Sequence, residues 1–371
     1  DPEKFEFNLT ICDEAHRTTG AGKKESYFVR VHDSDFIYSK KRLYMTATPR
    51  LYKESVKKQA AQKEIPVWSM DDENQFGEEI FRLSFGEAVK RGLLSDYKVI
   101  ILTISKSSLP KEIRFSDNDK DSELSSDDCK KLVGCIEALS KNVVTENGTL
   151  RNSEMMKTAV AFCTSIDPLK SKNGKRKEGI ASRIVAQKFN SCTYRNTRSD
   201  KEKIVEVKAK HVDGTMSASE RDSALRWLKE KCPKNECRIL TNVRCLSEGV
   251  DVPSLDAVIF LAGMGSEIDV VQAVGRVMRK SEGKECGYII IPVVIPDFVD
   301  IDLALSTSDK FSTVWKVIRA LKAHDERLDA IVNKIELNQK RPKSIESCTI
   351  GDDELETKLS ERLFLQFKDA S

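Results

Sequence analysis

The stretch that decides the fold runs from residue 238 to residue 261 and reads RILTNVRCLSEGVDVPSLDAVIFL. Apolar and β-branched residues at Arg238 to Thr241 and at Ala257 to Leu261 predict two buried strands, and the polar segment between them predicts a loop. Similar apolar segments, such as Tyr97 to Ile104 (YKVIILTI), recur along the chain and alternate with segments of helical periodicity. This alternation predicts an α/β fold in which helices join parallel strands.

The composition fits two domains of a reduced, cytoplasmic protein. A chain of 371 residues is longer than one hydrophobic core usually supports. The 62 basic and 59 acidic residues leave a net charge of only +3, so any nucleic-acid contact must come from local patches. The ten cysteines lack close metal-ligand spacing, which predicts free thiols and neither disulfides nor a zinc site. No apolar run reaches the length of a membrane span, and no signal peptide is visible.

An acidic motif, Asp13-Glu14-Ala15-His16, follows a predicted strand that ends at Cys12. Ligands of parallel α/β sheets bind beyond the carboxyl ends of the strands, so two carboxylates at this point can divide the work of nucleotide hydrolysis. The first would hold Mg²⁺ through its water shell, and the second would orient the water that attacks the γ-phosphate. A solvent-facing acidic turn is the alternative.

A second motif, Thr46-Ala47-Thr48, follows the next predicted strand, Leu43 to Met45. Its two hydroxyl groups can bond the acidic motif and report the nucleotide state. A Ser/Thr turn before a proline is common in proteins, so the value of this motif lies in its position after the acidic one.

Residues 272–279 read QAVGRVMR and carry two arginines three positions apart. Arg276 and Arg279 would therefore share one face of a helix, and Gly275 would let a neighbouring backbone approach closely. A guanidinium group stays ionised and donates two parallel hydrogen bonds, which suits the charge that develops on a γ-phosphate. A helix with surface salt bridges is the alternative, and the preceding loop argues against it.

That loop runs from Thr241 to Pro253. Gly249 suits a turn at which the backbone approaches a ligand. Asp251 can accept a hydrogen bond from a ribose or from an arginine, and Thr241 can contact a nucleic-acid phosphate. An ordinary βα turn explains each residue singly but explains the ordered set poorly.

In this order the motifs resemble motifs II, III, V and VI of the superfamily 2 helicases and translocases. The resemblance extends to about residue 297 and implies two RecA-like parallel-sheet lobes with ATP in the cleft between them. The implied domains are residues 1–96, as a first lobe that is incomplete at its N-terminus, residues 97–297, as a second lobe with a polar insert at about 105–128, and residues 298–371, as a helical extension.

The same resemblance implies a role for each motif residue. The residues implied in hydrolysis are Asp13, which would also hold Mg²⁺ through water, Glu14, Arg276 and Arg279. The residues implied in binding ATP and in coupling its hydrolysis to movement are His16, Thr46, Thr48, Gly249, Asp251 and Gln272. The residues implied in nucleic-acid contact are Thr241 and Arg244.

A narrower resemblance joins the chain to the motors of the type ISP restriction–modification enzymes and to related predicted helicases. It rests on Phe81 to Val89 (FRLSFGEAV), Gly92 to Val99 (GLLSDYKV), Val212 to Met216 (VDGTM) and the segment Thr313 to Arg327. In that family a nuclease precedes the motor, a methyltransferase follows it, and the motor moves along double-stranded DNA. We therefore expect an ATP-dependent DNA translocase motor of a restriction or phage-defence enzyme. A stand-alone RNA or DNA helicase and a non-catalytic nucleic-acid-binding remnant are the alternatives.

One motif of the family is absent from the sequence, since no G-x-x-x-x-G-K-[ST] phosphate-binding loop occurs in it. Gly20 to Lys24 (GAGKK) resembles this loop but follows the acidic motif, and Lys24 stands where a Ser or Thr should bind Mg²⁺. We expect the missing first half of lobe 1 to be a partner of this chain. We also expect the chain alone to bind ATP poorly and to hydrolyse it negligibly.

The C-terminal part is expected to begin with one long amphipathic helix, because apolar residues recur at helical spacing from Phe311 to Ile335. A further helix is expected from Asp352 to Lys368. Two basic segments, Lys170 to Lys177 and Arg195 to Lys210, are candidates for phosphate contact, although such segments more often form a solvated surface.

Overall fold

The computed structural model describes residues 6–21, 27–105, 113–115, 124–141, 154–168, 179–194, 204–246, 255–263, 265–295, 311–328 and 345–350. The chain divides into two compact units, residues 1–83 and residues 84–371. Residues 84–96 belong to the second of these units. The domain boundaries at residues 96 and 297 stay predictions.

The first unit is built on short strands. Strands β1 (Thr10–Cys12) and β3 (Arg42–Tyr44) pair in parallel, and strands β2 (Gly20–Ala21) and β4 (Val67–Trp68) pair in antiparallel. The helices are two 3-10 helices, Ala15–Thr18 and Tyr27–His32, and two α-helices, α1 (Glu54–Gln62) and α2 (Glu73–Phe76). The strand predicted from Phe5 to Cys12 is thus shorter than expected, with one isolated bridge from Phe7 to Ser39 ahead of it.

Four aromatic rings of the first unit pack against one another. The ring of His32 lies 5.4 Å from that of Tyr44, 6.5 Å from that of Trp68 and 4.9 Å from that of Phe76, measured between centroids. Offset and edge-to-face contacts of this kind add to the apolar area that such rings bury.

The second unit contains one seven-stranded sheet in which every neighbouring pair of strands is parallel. Its strands are β5 (Asp96–Ser105), β7 (Thr158–Phe162), β9 (Glu206–His211), β10 (Glu236–Asn242), β11 (Ala257–Phe260), β12 (Cys286–Ile295) and β13 (Ile345–Ile350), in the order β13-β5-β12-β11-β7-β10-β9. Two further strands, β6 (Ile113–Phe115) and β8 (Cys192–Tyr194), form a separate antiparallel pair. The predicted α/β fold with parallel sheets is confirmed.

Helices cover both faces of this sheet. The helices are α3 (Phe85–Lys90), α4 (Ser126–Leu139), α5 (Ser182–Ser191), α6 (Ala218–Lys229), α7 (Glu267–Val277) and α8 (Ser312–His324). Alternate residues of β5 point to opposite faces: Val99 and Ile101 join the core with α6, α7 and α8, whereas Ile100 and Leu102 join the core with α4 and α5. A strand that is buried on both faces reads as a continuous apolar run, which is why its sequence pattern was clear.

The C-terminal region differs from its prediction in two places. The single helix predicted from Phe311 to Ile335 is interrupted: α8 ends at His324, Asp325 adopts an extended conformation, and the chain is helical again at residues 326–328, whereas residues 329–335 lie outside the described residues. The Asp325 side chain, 1% exposed, accepts hydrogen bonds from Tyr97 and from Arg327, and these contacts draw the chain out of the helix. The extension also contributes β13 to the sheet, which the sequence did not predict. The helix predicted from Asp352 to Lys368 lies outside the described residues.

The polar insert at about 105–128 is also less irregular than expected. It contains β6, and α4 begins within it at Ser126, where Ser125 caps the helix through the amide of Asp128. The remainder of the insert lies outside the described residues. None of the helices in the described part of the chain has the length and apolar character that a membrane span requires.

Candidate nucleotide site

The acidic motif leaves β1 in a fixed register with the end of β3. The amide of Met45 donates to the carbonyl of Cys12, and the amide of Ala15 donates to the carbonyl of Met45, both at 2.9 Å. Asp13 is exposed, and its Oδ1 accepts from the amide of Glu14 at 2.9 Å. Glu14 has φ 49° and ψ 45°, a left-handed conformation that is strained for a residue with a side chain.

The structure brings four of the predicted residues together around one imidazole ring. The Nδ1 atom of His16, which is 5% exposed, lies 3.0 Å from Thr46 Oγ1 and 3.3 Å from Glu14 Oε2. Thr46 Oγ1 also accepts from the amide of Thr48 at 3.1 Å. The residues after β1 and those after β3 are thereby joined through side chains.

This arrangement leaves one buried hydroxyl group available. Within the described residues, Thr48 Oγ1 has no hydrogen-bond partner although the residue is buried. A buried polar atom without a partner is costly, and such atoms often mark a place where a ligand or further chain is bound. Where the structure describes the chain, no cluster of three or more metal-ligating side chains occurs. Asp13 offers one exposed carboxylate after β1, which suits an ion such as Mg²⁺ that keeps most of its waters.

A histidine outside the sequence motifs, His32, bonds the chain just after the acidic motif. His32 Nε2 lies 3.1 Å from the carbonyl oxygen of Thr18, and its Nδ1 lies 3.0 Å from the hydroxyl of Tyr44. A carbonyl oxygen can only accept, so Nε2 carries the proton and Nδ1 accepts from Tyr44. Burial lowers the pKa of His32. Sequence reasoning missed this residue, because it belongs to none of the motifs.

The described elements on either side of the glycine-rich stretch differ from those that flank a phosphate-binding loop. Gly20 and Ala21 form β2, which pairs in antiparallel with β4, and the next described element is the 3-10 helix Tyr27–His32. A phosphate-binding loop connects a strand to the N-terminus of an α-helix. Residues 22–26 lie outside the described residues.

The arginine-bearing motif lies at the end of α7. Ser266 caps the start of this helix in a capping box with Asp269. Gln272 is half-buried and Arg276 is 9% exposed, whereas Arg279 is exposed. The prediction that both arginines share a helix face is wrong, because α7 ends at Val277 and Arg279 lies beyond the helix cap at Met278.

Carbonyl groups at the end of α7 and just beyond it bind donors from elsewhere in the second unit. The Lys284 ammonium donates to the carbonyl of Val277, to that of Arg279 at 3.1 Å and to that of Leu255 at 2.6 Å. The amide of Ser95 donates to the carbonyl of Met278 at 2.8 Å. Neither donor was predicted: Lys284 belongs to no sequence motif, and Ser95 lies in the segment Gly92 to Val99 but was given no role there.

A glycine lets β12 start directly against this helix end. A Cβ atom at Gly287 would lie 2.6 Å from the carbonyl oxygen of Val277, so a side chain would displace the helix or the strand. Burial lowers the pKa of the nearby Lys284 to about 8, although the charges of Asp256 and Cys286 oppose the shift.

Of the two residues predicted to contact nucleic acid, one is buried. Thr241 is fully buried, and its hydroxyl donates to the carbonyl of Ser182 at 2.9 Å. The guanidinium of Arg244 packs against Gly265, where a Cβ atom would lie 3.0 Å from Arg244 Cζ. Gly249 and Asp251 lie outside the described residues.

A polar network that the sequence did not assign lies beside Thr241. Asp213, 1% exposed, accepts from His211 Nε2 at 2.7 Å and from Arg183 Nη2 at 3.0 Å. The hydrogen bond from Thr215 and those from His211 and Arg183 hold the pKa of Asp213 well below its usual range. The Oγ atom of Ser182 lies 2.7 Å from the other ring nitrogen of His211, so the network reaches the residue that Thr241 bonds.

Two buried polar atoms near the carboxyl ends of β7 and β10 are unsatisfied. Ser165 Oγ and Asn242 Oδ1 lack a hydrogen-bond partner in the described ranges. Because β7 and β10 are parallel neighbours, these atoms belong to the edge of the sheet at which α/β proteins bind ligands.

Comparisons with known proteins agree with this fold and these motifs. Residues 150–281 match the helicase conserved C-terminal domain family. The solved structure of the ATP-dependent type ISP restriction–modification enzyme LlaBIII bound to DNA is 36% identical, with a TM-score of 0.75 over 98% of this chain and 23% of that one. A nuclease-deletion mutant of the type ISP enzyme LlaGI in complex with a DNA substrate mimic is 27% identical, with a TM-score of 0.51 over 98% of this chain and 20% of that one.

The chain is also similar to a viral protein. A probable helicase of African swine fever virus is 21% identical over 322 residues, which are 87% of this chain and 30% of the viral protein. The chain is related to the superfamily 2 helicases and, among them, to the motors of the type ISP restriction–modification enzymes. It spans 30% of the length of this curated relative and 23% of LlaBIII.

Proposed function

We propose that this chain is part of an ATP-driven motor that moves along double-stranded DNA, in a cytoplasmic enzyme of restriction or phage defence. The observation that carries the proposal is the contact set of Glu14, His16 and Thr46, in which one buried ring meets a carboxylate and a hydroxyl that follow two paired strands. A mere acidic turn would not need a buried histidine behind it.

Each motif residue has a task in this proposal. Mg²⁺ supplies charge neutralisation at the phosphates of ATP when both are bound, and Asp13 holds the ion through water. Glu14 orients the attacking water and accepts its proton. His16 contacts both the Glu14 carboxylate and Thr46, so that a movement of the carboxylate also moves Thr46. Thr48, which is bonded to Thr46, completes this coupling. Arg276 and Arg279 neutralise the charge that develops on the γ-phosphate, and Gln272, Gly249 and Asp251 contact the nucleotide.

The nucleic-acid side of the proposal rests on the second unit. The two type ISP relatives are described with DNA or a DNA mimic, which favours duplex DNA as the track. The unsatisfied atoms of Ser165 and Asn242 lie at a ligand-binding edge, and Arg244 and the loop after Thr241 start from the same edge. Lys170–Lys177 and much of Arg195–Lys210 lie outside the described residues and stay candidates for phosphate contact.

A longer polypeptide is part of the proposal. The phosphate-binding loop and the first half of lobe 1 come from chain beyond these residues, and the chain alone hydrolyses ATP negligibly. The apolar side chains of Leu9, just before β1, and of Ile11, on β1, are 50% and 56% exposed, which supports further strands and helices that cover them. By analogy with the type ISP enzymes, a nuclease and a methyltransferase belong to the same protein.

The test is ATP hydrolysis by the natural polypeptide that contains this chain, with and without duplex DNA. Glu14→Gln should lower the DNA-stimulated rate at least about 10²-fold, because the amide cannot accept the proton of the attacking water. Glu78→Gln, at an exposed position of the same unit, is the matched control and should leave the rate unchanged.

Each outcome decides between functions. Full activity of Glu14→Gln would remove the catalytic assignment. Stimulation by RNA in place of duplex DNA would favour the stand-alone helicase. A wild-type protein that binds nucleic acid but shows no ATP hydrolysis would favour the non-catalytic remnant.

A further inference from the structure

The end of α7 has an unusual set of acceptors and donors. The last carbonyl groups of an α-helix have no partners within the helix and are usually satisfied by water or by a following glycine turn. Here the carbonyls of Val277 and Arg279 bind the Lys284 ammonium, and the carbonyl of Met278 binds the amide of Ser95. The helix end is therefore held by two other segments of the second unit and not by solvent.

The same ammonium group reaches a third segment. It bonds the carbonyl of Leu255 at 2.6 Å, and this residue lies two positions before β11 and two positions after Pro253. Three carbonyl oxygens match the three N–H donors of a protonated lysine. Lys284 thus joins the end of the arginine-bearing helix to the end of the loop that carries Gly249 and Asp251.

We propose that Lys284 is a positioning residue, which sets the end of α7 and with it the placement of Arg276 and Arg279. This inference rests on the proposed function, in which these two arginines contact the γ-phosphate. Arg276 is the last residue but one of α7, and the backbone of Arg279 is itself bonded to Lys284. A shift of this backbone would move both guanidinium groups away from the site they are set to reach, and small misplacements of such groups are costly in rate.

The geometry selects lysine over arginine at this position. A compact ammonium can point its three donors at three oxygens from different segments, whereas a guanidinium presents its donors in one plane. Lys284→Arg should therefore keep the charge but not restore the position of the helix end.

Because Lys284 can lose its proton, the order of the α7 end should depend on pH. The pKa of this group is about 8 because burial lowers it, and the titratable groups that oppose the shift are the Asp256 carboxylate and the Cys286 thiol. Above that pH the neutral amine loses one donor, so the helix end should loosen. The unfolded lysine has a pKa of about 10.4, so the unfolded chain binds more protons between these values and this group makes the folded state more stable as pH rises. As pH rises above this pKa, the end of α7 should loosen, whereas the contribution of this group to the free energy of unfolding should increase. These opposite pH dependences distinguish a positioning role from a general stabilising role.

The first test uses hydrogen–deuterium exchange of the chain itself at neutral pH. In Lys284→Met, amides at the end of α7, such as those of Met278 and Arg279, should exchange about tenfold faster, because the hydrogen bonds that fix this backbone are lost. Strands β10 and β11 should keep their protection. Lys280→Met, the same change at an exposed lysine of the same turn, should match the wild type.

Two results would overturn the proposal: unchanged exchange at the α7 end, or a loss of protection spread evenly over the sheet. If Lys284→Met does not fold, the wild type at pH 7 and at pH 9.5, corrected for intrinsic exchange, gives the same answer. Equal protection of the α7 end at both values would then exclude the proposed role.

The second test uses ATP hydrolysis by the natural polypeptide. Lys284→Met should lower kcat about tenfold or more with little change in KM, which marks an interaction needed in the transition state. The wild type should lose activity above pH 8, and Lys284→Arg should lack this alkaline limb. Local loosening without any wild-type hydrolysis would refute the proposed function and leave the structural role intact. Local loosening with normal hydrolysis in Lys284→Met would refute the positioning role alone.

Discussion

The two compact units use the same element, a parallel pair of strands, but bury it to very different extents. In the first unit, Ile11 of β1 is 56% exposed and Met45 after β3 is 42% exposed. In the second unit, Ile101 of β5 is 1% exposed and Ile290 of β12 is fully buried. The first unit therefore depends on local hydrogen bonds and an aromatic cluster, whereas the second depends on two extensive cores.

Because of this difference, the candidate catalytic geometry in the first unit does not depend on a large hydrophobic core. His16, Thr46 and Thr48 are fixed by short-range hydrogen bonds at strand ends. The arginine-bearing helix, in contrast, is anchored in a large apolar cluster through Val270, Val274 and their neighbours. Stability and site geometry should thus respond separately to mutation in the first unit and together in the second.

A large loss of stability is expected on mutation of Asp325 in the second unit. Asp325→Ala should destabilise this unit by about 3 kcal/mol, because it leaves Tyr97 and Arg327 without the buried carboxylate that they bond. Urea unfolding followed by Trp315 fluorescence measures the loss. Asp96→Ala removes the exposed partner of Arg327 and should cost less than about 1 kcal/mol. Equal losses in the two variants would show that the buried contact has no special weight.

A matched pair of isoleucines tests the comparison directly. Ile101→Ala in the second unit should cost about 2–5 kcal/mol, because it removes a fully packed side chain and leaves a cavity. Ile11→Ala in the first unit should change stability by no more than about 0.5 kcal/mol, since that side chain is already largely in water. Chemical denaturation of both variants measures the difference. A large loss for Ile11→Ala would mean that β1 is covered in solution by other parts of the protein.

The smallest expected effect is a difference in acid sensitivity. Burial lowers the pKa of His32 below its usual value of about 6.5, so the unfolded chain binds more protons in that range and the first unit loses stability as pH falls below about 6.5. In the second unit, hydrogen bonds lower the pKa of Asp213, whose stabilising effect is lost only as pH falls below about 4.

Tryptophan fluorescence can separate these two transitions. Trp68, whose ring lies 6.5 Å from that of His32, reports on the first unit, and Trp227 and Trp315 report on the second. Stability of the Trp68 environment should fall with pH before that of the others. His32→Gln keeps both hydrogen bonds without a titrating group and should abolish the early change. A Trp68 signal that follows the other two at every pH would refute the assignment.

The sequence predicted the central strands well for a physical reason. Strands β5 and β12 are buried on both faces, so their apolar character is continuous and needs no knowledge of the neighbours. Strand β13 was missed because its sequence, IESCTI, has neither a continuous apolar run nor strict alternation and lies within a strongly charged region. Its pairing with β5 joins residues that are far apart in the chain, which periodicity cannot reveal.

The extent of α8 was mispredicted for a similar reason. Apolar residues continue at helical spacing past His324, so the pattern alone favours one long helix. The residue that ends the helix, Asp325, does so through a hydrogen bond to Tyr97, on a strand much earlier in the sequence. Local propensity was outweighed by this non-local contact.

The motif residues of the candidate site were predicted from the sequence, but the residues that hold the backbone around them were not. The meeting of Glu14, His16 and Thr46 follows from a simple rule, that the ends of parallel neighbouring strands share one edge. His32 and Lys284 could not be predicted, because each acts on backbone carbonyls that any sequence would supply. The exposed position of Arg279 beyond the helix depends on those same carbonyl contacts.

The left-handed backbone of Glu14 has a consequence for the history of this protein. Glycine would adopt φ 49° and ψ 45° freely, whereas a residue with a side chain is strained there by about 1 kcal/mol. Under the proposed role, selection keeps a less stable residue at position 14 for the sake of its carboxylate. Lineages that descend from this protein and no longer hydrolyse ATP should therefore drift toward glycine or asparagine at this position, and those that retain glutamate should retain the motor.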